Sequence, residues 1–85
     1  MKLVLTRAAQ RRLAEMGPKR SAALVERLEA IAEQPFAAHR NVERIKGERD
    51  AFRLRQGDWR AVYRIDRKAG EMRVMVVEPR GSVYR

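Results

Sequence analysis

Cysteine is absent from this 85-residue chain, and His39 is its only histidine. The first absence excludes a disulfide framework, a thiolate metal site and a cysteine nucleophile. The second excludes a catalytic histidine pair. No apolar stretch approaches the roughly 20 residues that span a bilayer, so no membrane partner is expected. The opening Met1-Lys2-Leu3-Val4-Leu5-Thr6-Arg7 has one short apolar run and then charge, which is no signal peptide. The sequence has no internal repeat, low-complexity tract or linker. It also lacks metal-ligand spacing and a Gly-rich phosphate loop, so no metal or other cofactor is expected. Acidic side chains are a minority, 11 against 20 basic, and leave a formal charge of +9. Lysine is scarce as well: Lys2, Lys19, Lys46 and Lys68 are the only four, so sixteen of the basic residues are arginines.

What is present points one way. Hydrophobic residues make up 45% of the chain, enough for a core despite the charge. The length fits one small domain over residues 1–85 and is too short for two. The positive surplus implies an anionic partner, whether nucleic acid, an acidic protein or an anionic membrane. Arginine's planar fork suits bidentate phosphate or carboxylate contacts and stacking on bases. A solubility device or arginine-favouring codon usage is the plainer alternative. A small domain without disulfides suits a reducing cytoplasm.

The hydrophobic spacing predicts the elements. Lys2 to Leu5 reads as a first strand. Thr6 is an N-cap for a helix over Arg7 to Met16, with Ala9, Leu13 and Met16 on one face. Gly17-Pro18 ends it, and the proline opens a second helix running to about Gln34. Its stripe is Leu24, Val25, Leu28, Ile31 and Ala32. Pro35 stops it. Phe36 to Asp50 reads as polar and irregular. After that the period becomes two: Phe52 and Leu54, then Trp59, Ala61, Tyr63 and Ile65, then the apolar run Met72 to Glu78. Gln56-Gly57-Asp58 and Asp66 to Gly70 are the turns, and Pro79 ends the last strand. The expected fold is α+β, in the order β-α-α-β-β-β. A helical hairpin packs on one face of a small, mainly antiparallel sheet.

That fold gives the arginines a location. If Phe52, Leu54, Ala61, Tyr63 and Ile65 face the helices, then Arg53, Arg55, Arg60 and Arg64 emerge on the opposite face, because strand side chains alternate. Four guanidinium groups on two adjacent strands make a dense positive patch. An anion-binding surface is the functional reading, and a solvated basic face the structural one. Trp59, by its alternation with Ala61 and Tyr63, reads as packing before stacking. Met72 and Met75 read as packing. His39 sits in a polar loop with no partner placed by motif.

The run Phe52-Arg53-Leu54-Arg55-Gln56-Gly57-Asp58-Trp59-Arg60-Ala61-Val62-Tyr63 resembles the central signature of the RelE/ParE superfamily of toxins. Ile45-Lys46-Gly47 resembles that family's L-K-G element, and Arg80-Gly81-Ser82-Val83-Tyr84-Arg85 its closing element. The resemblance covers essentially the whole chain. It implies the toxin of a type II toxin–antitoxin pair, with a cognate antitoxin whose acidic helix or strand covers the basic face. RelE-like members are ribosome-dependent mRNA endonucleases. ParE-like members share the fold without nuclease residues and poison DNA gyrase. Carried over from the RelE-like members, the catalytic positions are Arg53, Arg55, Arg60, Arg80 and Tyr84. The closing element is the part that ParE-like members usually lack, and it favours the RNase. Lys46, Arg64 and Arg85 are expected RNA contacts. Arg53 and Arg55 replace the lysines of some relatives, which keeps phosphate binding but not proton transfer, since an arginine hardly deprotonates. Pro79 stands where many relatives have His or Lys.

Cleavage by RNA's own 2′-hydroxyl needs in-line geometry, a base for that hydroxyl and positive charge around the phosphorane-like transition state. Arg60 and Arg80 are the expected phosphate clamp. Tyr84 is either a weak general base, with a pKa lowered by nearby guanidinium groups, or a stacking residue. Such a site is modest on free RNA, so the ribosome would supply substrate orientation.

Overall fold

The computed structural model describes residues 1–79. Its elements are β1 (Lys2–Leu5), α1 (Arg7–Met16), α2 (Pro18–Glu33), β2 (Val42–Arg44), β3 (Ala51–Gln56), β4 (Trp59–Asp66) and β5 (Glu71–Pro79). The two helices lie where their spacing puts them. Thr6 begins α1 because its hydroxyl accepts the Ala9 N–H at 3.2 Å, filling one of the donors a helix start leaves open. The same oxygen lies 2.9 and 2.8 Å from the carbonyls of Val74 and Met75, to which it donates. One side chain thus caps α1 and ties it to β5. Gly17 turns the chain between the helices at φ +92°, a conformation that costs any other residue strain.

The sheet runs β1-β5-β4-β3-β2. The meander β3-β4-β5 is antiparallel, and β1 pairs parallel with Glu71–Val74 of β5. The fold is the expected α+β arrangement with one strand more. Within the span read as irregular, Val42–Arg44 pairs antiparallel with Phe52–Leu54. Three residues with one apolar side chain carry too little alternation to announce a strand, so β2 owes its conformation to the neighbour it pairs with.

The core is one cluster. Ala9, Leu13 and Met16 of α1 and Leu24, Leu28, Ile31 and Ala32 of α2 meet Phe52, Leu54, Ala61, Tyr63, Ile65, Met72, Val74 and Val77 of the sheet. Val25 and Trp59 pack at its margin. Strict alternation would bury Val74 and Val76 together. Instead Val62 pairs with Val76 and Tyr63 with Val74, leaving Met75 as the extra residue of a bulge. That shift brings Val77 rather than Val76 to the helix side, where it is fully buried. Thr6 clamps the bulge.

Candidate functional site

On the sheet face away from the helices, the strand register fixes which side chains are neighbours. Arg55 of β3 stands opposite Arg60 of β4, and Arg60 opposite Glu78 of β5. Arg53 stands between Glu43 and Val62. Arg64 stands between Ala51 and Arg73. The four strand arginines therefore share one face, as the alternation requires.

Their electrostatics are less uniform than the sequence suggests. Arg53 Nη1 donates to Glu43 Oε1 at 3.3 Å, and Arg64 pairs with Glu48. Both glutamates come from the stretch read as irregular, and their positions were not legible without the register of β2. Exposed pairs of this kind are worth about 0–1 kcal/mol, so a phosphate can displace either carboxylate. Arg55 is exposed and has no ion-pair partner among the described residues. Arg55 and Arg60, with Asn41, Gly57 and Trp59, line a cleft of about 300 Å3 that holds no acidic side chain. Four other depressions on the described surface each have an acidic residue in their lining.

Local backbone chemistry builds that cleft. Gln56 and Trp59 pair across a two-residue turn, Gly57-Asp58, in which Gly57 takes φ +59°. Glycine is the residue that a two-residue hairpin turn accepts at such a first position. The tight turn brings the ends of β3 and β4 together, so Arg55 and Arg60 are held on rigid strands. On the other flank, Arg55 N–H donates to the Asn41 carbonyl at 2.9 Å, which fixes Asn41 beside Arg55. Asn41 itself has φ +61°, a region asparagine tolerates better than most residues. Asn41, Glu43 and Glu48 were not singled out by the sequence. Asparagine in a polar loop gives no signal until the pairing of β2 places it.

The remaining expected residues divide. Lys46 is exposed in the turn between β2 and β3. Arg80, Tyr84 and Arg85 lie outside the described residues. His39 Nε2 donates a hydrogen bond to the Gln34 carbonyl, 2.7 Å away, and does not line the cleft. Among the described residues there is no cluster of His, Asp and Glu that fits a metal ion, and no helix is long and apolar enough to cross a membrane.

Two polar groups elsewhere bear on stability. Arg67 forks onto Asp50, with Nε 2.8 Å from Oδ2 and Nη2 3.1 Å from Oδ1, and its guanidinium lies 4.2 Å from the Phe36 ring centre. These contacts tie three loops together. The Arg67 hydrogen bond outweighs desolvation and holds the Asp50 carboxyl below its ordinary value, with Arg49 and Arg44 adding to the effect. Tyr63 is fully buried and stacks on Phe52 at 5.2 Å, and its hydroxyl has no hydrogen-bond partner among the described residues. Burial pushes its phenol up to about 12, with Arg27 opposing.

The same architecture recurs in solved structures. The chain is similar to the RelBE2 toxin–antitoxin complex of Mycobacterium tuberculosis, with 27% identity, a TM-score of 0.74 and coverage of 93% of this chain and 96% of that one. It is similar to the intact RelBE complex of E. coli, with 21% identity, a TM-score of 0.75 and coverage of 92% and 94%. It is also similar to a YoeB/ParE toxin from Agrobacterium tumefaciens, with 21% identity, a TM-score of 0.75 and coverage of 93% and 98%. The latter two are likenesses of fold alone. Comparison with curated proteins yields no match. The model of the ParE toxins of type II toxin–antitoxin systems matches residues 3–84, and the chain belongs to that family, within the RelE/ParE superfamily.

Proposed function

We propose that this toxin is a metal-independent endoribonuclease that cuts mRNA on the ribosome and is held in check by a cognate antitoxin. The observation that carries the reading is the cleft between Arg55 and Arg60, the concavity on the arginine face that no acidic side chain lines. Two guanidinium groups from neighbouring rigid strands suit a phosphodiester. Each can present paired N–H donors to phosphate oxygens, and their fixed charge is worth most where negative charge grows in the transition state. Arg53 would join by exchanging Glu43 for phosphate. Arginine cannot serve as the base, so removal of the 2′-proton falls to Tyr84, to the ribosome or to water. Arg80 completes the phosphate clamp in this reading, and Lys46, Arg64 and Arg85 hold flanking RNA. The RelBE complexes above support a protein antitoxin as partner, one whose acidic segment would cover Arg55 and Arg60.

A ParE-like action on DNA gyrase is the second reading, favoured by the family whose model matches residues 3–84. One experiment separates the two. The purified protein is added to ribosomes translating a defined mRNA, and in parallel to gyrase with plasmid DNA. Cuts inside the codon being read are expected. Arg60→Ala should lower their rate on the order of a hundredfold or more, with the fold retained by circular dichroism. Intact mRNA together with trapped gyrase–DNA cleavage complexes would overturn the nuclease reading.

A further inference from the structure

We infer that the Arg55–Arg60 cleft is a nucleotide site rather than a bare phosphate site, in which one unstacked base lies against Trp59 while the Asn41 carboxamide reads its edge. The inference rests on the nucleic-acid reading of the preceding subsection and adds a specificity element to it. Of the five residues lining the cleft, only two are the arginines that suit phosphate. The other two large side chains have different chemistry. Trp59 is half-buried, packs at the margin of the core, and borders both this cleft and the neighbouring groove near Met16 and Leu24. An indole anchored along one part and open along another is a stacking platform that does not have to be ordered by the ligand. Gly57, between Arg55 and Trp59 in sequence, contributes no side chain to the cleft, and a Cβ there would meet nothing within 4 Å. The space over the turn is therefore open to a flat ring.

Asn41 supplies the polar component. Its backbone is pinned by the 2.9 Å bond from Arg55 N–H, whereas its carboxamide is exposed and makes no hydrogen bond among the described residues. A carboxamide offers a donor and an acceptor side by side. Every nucleobase presents an adjacent donor and acceptor on its Watson–Crick edge once it leaves a duplex, in one order in A and C and in the reverse order in G and U, so a carboxamide held in one orientation favours one of the two sets. The cleft of about 300 Å3 is roomy enough for one base. Phosphate on the arginines, base on the indole and edge on the amide are the three contacts of a nucleotide, and the strand register places their donors within one concavity.

The probes are ribose 5-phosphate and the four ribonucleoside monophosphates, with binding read by isothermal titration calorimetry in every variant and, where Trp59 is present, by the shift of its indole N–H in NMR spectra. Monophosphates should bind roughly five- to hundredfold more tightly than ribose 5-phosphate, the range expected when a base stacks on an aromatic side chain. Trp59→Phe, which keeps a ring in the core margin, should retain part of the gain. Asn41→Gly, which keeps the positive φ, should compress the differences among the four bases more than it changes ribose 5-phosphate affinity. Equal affinity for ribose 5-phosphate and all four monophosphates overturns the inference, as do unaltered differences among the bases in Asn41→Gly. Failure of the nuclease reading looks different: monophosphates then bind as described while mRNA on ribosomes stays intact.

Discussion

Replacing Tyr63 by phenylalanine removes a single oxygen from the centre of the molecule. The Tyr63 ring is fully buried and stacks on Phe52 at 5.2 Å with 18° between the planes, a contact the variant keeps. The hydroxyl has no partner among the described residues, and leaving a polar group buried and unpaired costs about 1–3 kcal/mol. Near neutral pH the variant should accordingly match the parent or exceed it by up to about 2 kcal/mol, where most core substitutions destabilise. The pH dependence gives a second handle. The phenol titrates near 10 in the unfolded chain and at about 12 in the fold. Below pH 10 both states hold the proton and the group adds no pH dependence. Between 10 and 12 the unfolded state loses it first, so folding stability falls with rising pH. Two pH units correspond to about 2–3 kcal/mol. Urea unfolding followed by circular dichroism at steps from pH 7 to 12 measures both effects. The difference between parent and variant cancels the lysines and Tyr84, which both carry. Two results would refute the reasoning: a loss above about 1 kcal/mol at pH 7, or parallel alkaline limbs in the two proteins.

Other expectations follow from single contacts. Thr6→Val keeps the shape but removes the cap of α1 and the link to the Val74–Met75 bulge. It should cost about 1–2 kcal/mol in urea unfolding, and a neutral outcome would count against the clamp. The Asp50 carboxyl is held below its ordinary value chiefly by Arg67, so its contribution is present above the unfolded pKa and disappears as pH falls through the lower folded one. Arg67→Ala should therefore flatten the acid limb of a stability–pH curve and lower the melting temperature above pH 5. Leu28→Ala empties a fully buried site between α2 and the sheet and should cost about 2–5 kcal/mol, measurable by the same unfolding. Among the strand arginines, Arg55→Ala should impair cleavage far more than Arg64→Ala, because Arg55 lines the cleft and Arg64 does not. Equal losses would detach activity from the Arg55–Arg60 cleft.

The helices and the meander were readable because each satisfies a periodicity. Ala9, Leu13 and Met16 repeat at helical spacing, and Phe52 and Leu54, then Ala61, Tyr63 and Ile65, repeat at two. Short turns between adjacent runs left one economical pairing. The same alternation puts Arg53, Arg55, Arg60 and Arg64 on one face, and local residue type places Thr6 and Pro18 at helix starts. β2 was not readable, since Val42–Arg44 has no period of its own. Nor was the β5 bulge, where Val77 takes the buried place that alternation assigns to Val76.

The sequence by itself determined the helical hairpin, the meander and the face on which the arginines lie, because those follow from contacts between residues near in the chain. Only the tertiary structure decided how the charge is divided. Glu43 and Glu48 reach Arg53 and Arg64 through a strand pairing and a loop that no local pattern encodes, and Asn41 reaches the cleft by the same route. Sixteen arginines in the sequence say that the partner is an anion. The long-range pairing brings carboxylates to Arg53 and Arg64, and the strand register sets Arg55 and Arg60 side by side at the cleft.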